Sequence, residues 1–175
     1  MKAGPLNQFP DDARLWVFAS PAALSESQST ALLARVDSFL DQWHAHGAAV
    51  VGARDWRNEH FLLVASDERA TGVSGCSIDS LYLTLKQAES ELGVTLLDSS
   101  PVWYRDAAGE IANVPRTEFR RLAKEGAVDE DTIVFDNTVN TVGALLAGGW
   151  ERPMRDSWHG KAFSALRPPP VEQAR

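Results

Sequence analysis

The stretch Thr71–Asp98, TGVSGCSIDSLYLTLKQAESELGVTLLD, constrains this chain more than any other. Ile78, Leu81, Tyr82, Leu85, Ala88 and Leu92 recur at three- and four-residue intervals, which puts them on one face of a helix. Gly93 stands where a left-handed residue ends such a helix, and Val94–Leu97 follows as a short apolar run of strand length. The single cysteine, Cys76, sits in the glycine-punctuated entry. It falls in the first turn if Ser74 caps the helix and just outside it if Ser77 does.

Upstream, residues 1 to about 13 read as a loose arm with Pro5 and Pro10, and Leu15–Ala19 reads as a strand. Ser25 with Gln28 forms a capping-box pattern ahead of Leu32, Leu33, Val36, Phe39, Leu40 and Trp43 at helical spacing. Gly47 is placed as the residue that ends this helix. Ala48–Ala53 and Phe61–Ala65, separated by the turn-forming Arg57-Asn58, read as an antiparallel pair. The order β-α-β-β-α-β over residues 1–98 predicts an α+β fold of the ferredoxin-like kind, two helices over a four-stranded antiparallel sheet.

Ser99-Ser100-Pro101 marks a boundary. The chain carries 7 basic and 13 acidic residues up to Asp98, and 10 and 11 beyond it. Val102–Arg105 and Glu110–Val114 predict a hairpin, Arg116–Glu125 a helix stopped by Gly126, and Thr132–Phe135 a strand. Thr141–Ala147 gives one or two helical turns, after which Trp150, Trp158 and Phe163 anchor a loop-like end of a module over 99–166. Residues 167–175, with Pro168-Pro169-Pro170, predict an extended or disordered tail.

A net charge of −7 without a basic run argues against a nucleic-acid partner, because such affinity comes from Lys and Arg on phosphates. One cysteine rules out an intramolecular disulfide and a multi-thiolate metal site. No apolar run approaches the ~18 residues of a membrane span, and MKAGPLNQFPDD lacks the apolar core of a signal peptide. A soluble cytoplasmic protein with no metal and no cofactor is the expectation.

Two chemistries compete. Near a helix N-terminus, Cys76 faces unsatisfied N–H groups and a positive dipole end, which favours a thiolate nucleophile. Its base would be His159, within Ser157-Trp158-His159, or His46. Against this, a free cysteine commonly behaves as a small buried hydrophobe, and His44 and His46 suit the end of the first helix. The second chemistry is aromatic: six tryptophans are many for 175 residues. Trp103, Tyr104, Trp150 and Trp158 on one surface would make a groove for a polyproline II segment; the alternative is that they fill a thin core. The chain's own Pro168–Pro170 could fill such a groove in a neighbouring copy.

Trp103-Tyr104, Gly109, TEFRRLAKEGAVDEDTIVF from Thr117 to Phe135, and Trp150 together resemble the bacterial GYF-type adaptor modules. That resemblance covers about 60 residues and implies a small α+β fold that binds proline-rich peptides. The family's Gly-Pro-Phe or Gly-Pro-Tyr core is absent, with Ala112–Pro115 near its place. The whole chain also resembles an uncharacterised family of small bacterial proteins, some labelled as transporter ATPases, through Trp43 with His46-Gly47, Ser74–Asp79, Val134–Asn137 and Ser157–His159. No G-x-x-x-x-G-K-[ST] occurs, so there is no phosphate cradle for an ATPase. The sequence therefore points to a non-catalytic protein- or peptide-binding adaptor, with a cysteine-dependent acyl-transfer or thiol-redox enzyme as the alternative. A homodimer is expected from fold analogy.

Overall fold

The computed structural model describes residues 5–69 and 71–163 and shows a mixed α+β protein built on antiparallel sheets. The expected proline-rich tail lies outside the described residues. The chain divides into two compact units. The first runs to Ser99 and adds Asn137–Ala147; the second takes Ser100–Asp136 and resumes at Gly148. A single cut at 98/99 misses this return of the chain.

In the first unit, β1 (Arg14–Ala19), β4 (Val51–Arg57) and β5 (Phe61–Asp67) form a sheet in the order β1-β5-β4, antiparallel throughout. Helix α1 (Glu26–Gln42) starts at the expected box: Gln28 N–H donates to Ser25 Oγ, and Ser25 N–H donates to Gln28 Oε1. Helix α2 (Gly75–Leu92) is capped by Ser74, with Ser77 closing the reciprocal bond, and ends on left-handed Gly93 as expected. The two helices run antiparallel. Gln28 at the start of α1 donates to Leu92 O at the end of α2, while Trp43 Nε1 donates to Ser77 O at its beginning. Leu32, Val36 and Leu40 of α1 meet Leu81, Leu85 and Ala88 of α2 over Phe18, Leu62 and Val64.

Because strand residues alternate, Phe61, Leu63 and Ala65 point to the other sheet face, and they are also fully buried. From Pro5 on, the arm expected to be loose is packed instead. Leu6, Phe9 and Ala13 are buried, and the 3₁₀ turn Leu6–Gln8 lies against β4 and α4 (Val142–Leu146). Leu15 N–H donates to Asn140 O and Val142 N–H to Ala13 O, so the returning segment 137–147 lies along β1. Gly143 is needed here, since a Cβ would stand 2.7 Å from Asp11 Cβ and 2.8 Å from its carbonyl oxygen.

Two further expectations fail for local reasons. Helix α1 stops at Gln42, and a small hairpin follows, β2 (His44–Ala45) and β3 (Ala48–Ala49). Its turn takes His46 and Gly47 at φ 52° and 80°, the paired positive dihedrals of a type I′ turn, so Gly47 turns a hairpin rather than ending a helix. The fourth strand expected at Val94–Leu97 does not form. Glu89 reaches out of α2 and accepts the N–H groups of Leu96 (2.6 Å) and Leu97 (2.8 Å), so those donors are not offered to a ladder. One backbone bond, Ala19 N–H to Leu96 O, is left beside β1. The sheet has three strands, not four.

The second unit is a four-stranded antiparallel sheet, order β7-β6-β8-β9, from β6 (Val102–Arg105), β7 (Ile111–Val114), β8 (Ile133–Phe135) and β9 (Glu151–Pro153). The expected hairpin, helix and strand are present; β9 and α5 (Trp158–Phe163) occupy the end read as loop. Helix α3 (Arg116–Glu125) ends on left-handed Gly126 and buries Phe119 and Ala123. They pack with Val102, Tyr104, Val134, Met154 and Phe163 into this unit's core.

Candidate functional site

Cys76 occupies the first turn of α2 and is exposed, which removes the reading of it as a buried hydrophobe. The bases proposed for it are placed differently. His46 stands in the β2–β3 turn, and His44, in β2, bonds through Nδ1 to Gln42 O at 2.6 Å. Neither lies on a helix, so neither is the dipole cap expected of it. His60 bonds through Nδ1 to Ser20 O at 2.7 Å.

His159 belongs to the second unit and is 2% exposed. Ser157 Oγ donates to Met154 O (3.0 Å) and accepts the His159 backbone N–H (3.1 Å). The same oxygen lies 2.9 Å from His159 Nδ1, which fixes the ring in place. Burial lowers the His159 pKa to about 4; Asp136 opposes the shift, and Arg116 and Arg152 add to it. The ring is thus neutral at pH 7 and a much weaker base than an ordinary imidazole. Among the described residues no group of His, Cys, Asp and Glu could hold a metal ion.

The four aromatics expected on one surface do not share one. Trp103 and Trp150 are 3% exposed and Tyr104 8%. Tyr104 packs edge-on against Phe119 at 5.3 Å on the α3 side of the sheet. Trp103 pairs with Phe135 across β6 and β8, and Phe135 meets Trp150 at 5.2 Å, on the opposite sheet face. The shared aromatic groove is therefore overturned for these three residues, which are interior.

Trp158 differs. Its ring is half-buried, stacks on His159 at 3.9 Å, and carries the Arg116 guanidinium at 5.0 Å over its face. Its Nε1–H is shielded from water and has no acceptor; Arg152 Nε, whose Nη2 pairs with Asp136 Oδ2 at 3.0 Å, is also without one. Buried donors of this kind are rare, because each forfeits a hydrogen bond made in water. Arg152 lies opposite Val134 in the β8–β9 register, hence on the α3 side of the sheet. Trp158 Nε1 and Arg152 Nε are thus enclosed donors without acceptors, and Arg116, over the Trp158 ring, is exposed. Sequence pattern named Trp158 but gave no sign of Arg152, because the pairing that brings it here is long-range.

Comparison with family models, with curated proteins and with solved structures gives no match. Among the described residues no helix is long and apolar enough to cross a membrane.

Proposed function

We propose that the chain is a non-catalytic protein- or peptide-binding adaptor whose second unit takes a proline-rich segment at Trp158. The observation that carries this reading is the unpaired indole N–H of Trp158, whose ring face lies under Arg116. A polyproline II segment makes no internal hydrogen bonds, and its prolines have no N–H, so it presents acceptors only. The corner around Trp158 must open for its enclosed N–H to meet such an acceptor, with the ring then supplying apolar contact. The exposed Arg116 shifts aside to admit the peptide and favours acidic residues flanking the prolines. The expected setting is cytoplasmic.

The same reading takes the second unit as GYF-like, supported by the β6–β7 hairpin followed by α3 and β8. It takes the first as a ferredoxin-like arrangement that has given up its last strand, supported by the order β1-β5-β4 beneath two antiparallel helices. Calorimetric titration with proline-rich peptides tests the function. Binding should weaken by roughly tenfold in Trp158→Phe, which keeps an aromatic ring and removes the donor, since such a bond is worth about 1–1.5 kcal/mol. No heat with any such peptide contradicts the reading.

The exposure of Cys76 at a helix start favours a second reading, a thiol-dependent enzyme. Alkylation of the folded protein across pH separates the two. A midpoint well below the ordinary thiol range near 8.5 would carry the enzyme and contradict the adaptor reading.

A further inference from the structure

The outward stripe of α2 carries Cys76, Asp79, Tyr82, Leu83, Lys86 and Ser90, all exposed. At its centre are the two most prominent exposed apolar side chains of the helix, Tyr82 at 41% and Leu83 at 59%. The Tyr82 ring packs edge-on to Phe18 at 5.5 Å, which orients one half of the patch. Asp79 lies three residues before Tyr82 and Lys86 three after Leu83, and neither has an ion-pair partner among the described residues. The stripe is therefore symmetric about its middle: acid, apolar pair, base, at equal spacing.

A two-fold axis between Tyr82 and Leu83 sets this stripe against a second copy of itself, antiparallel. Leu83 then meets Tyr82 of the other copy, and Asp79 faces Lys86 twice. An isologous contact needs such self-complementarity, because each residue must satisfy the reciprocal one. A parallel pairing would set Asp79 against Asp79 and Lys86 against Lys86, so the charges also fix the orientation. We propose that α2 is a homodimer interface, two copies packing antiparallel through Tyr82 and Leu83 with crossed Asp79–Lys86 ion pairs.

Sedimentation equilibrium of the full chain over micromolar to millimolar concentration tests this. The expected result is a mass approaching twice the 19.1 kDa of the monomer as concentration rises. Asp79→Lys should lose the dimer by setting like charges opposite, and Asp79→Lys with Lys86→Asp should restore it. A merely structural effect of the single change gives no such rescue. Leu83→Cys in a Cys76→Ser background should cross-link between copies under a copper–phenanthroline oxidant, since position 83 lies beside the axis. A chain that stays monomeric throughout overturns the proposal, as does a dimer indifferent to the charge reversal or one that forms no cross-link at position 83.

Discussion

Phe119→Ala should lower the stability of the second unit by about 3–5 kcal/mol, the range for removing a buried aromatic whose site cannot close. Phe119 is fully buried, with Tyr104 at 5.3 Å and Phe163 at 5.0 Å, both edge-on, and His159 at 6.4 Å. These neighbours come from β6 and α5. Each is anchored by its own element, so none can slide into the space a lost ring leaves. Helix α3 also depends on this residue, since Phe119 and Ala123 are its buried positions. Denaturant unfolding followed by near-ultraviolet circular dichroism checks the expectation. A loss below about 1 kcal/mol would mean that α3 is not pinned through this ring.

The second large effect is on acid stability. His159 has its pKa lowered from 6.5 to about 4, so the folded unit favours the neutral ring. On acidification the unfolded chain takes up this proton first, and unfolding is drawn forward. The contribution is fully present above about pH 6.5 and is lost as pH falls towards 4, the loss reaching roughly 3 kcal/mol below that. His159→Gln, which keeps a side-chain amide able to hydrogen-bond Ser157, should remove this slope. The difference in unfolding free energy between the two proteins should therefore vary between pH 4 and 6.5 and be constant above it. A flat difference across that window would place the imidazole in contact with water.

Local chemistry explains what the sequence made legible. The Ser25–Gln28 box, left-handed Gly93 and Gly126, and the spacing of Leu32, Val36 and Leu40 each act within a few residues, and each appears where expected. Other features depend on distant partners. The apolar run Val94–Leu97 has strand chemistry, but the Glu89 carboxylate takes two of its donors. Nothing in Leu6 or Phe9 announces that the arm is buried, and nothing near Thr141 announces a bond from Leu15 to Asn140. Residues 151–153 have no strand signature, with Pro153 among them, and pair because β8 offers an open edge. The candidate site follows the same division. Trp158 stood out by residue type, whereas the interior placement of Trp103, Tyr104 and Trp150 follows from sheet pairing and packing.

The binding reading rests on a single donor, and that donor is visible. In a ¹⁵N–¹H correlation spectrum each tryptophan gives one indole N–H resonance, and Trp158→Phe assigns the one of interest. Titration with an acidic-flanked proline-rich peptide should move that resonance downfield in saturable fashion, as a new carbonyl bond forms, and leave the interior Trp103 and Trp150 signals near their free positions. A Trp158 resonance that stays fixed while peptide binds elsewhere, or in the absence of any binding, would contradict the assignment of this corner as the site.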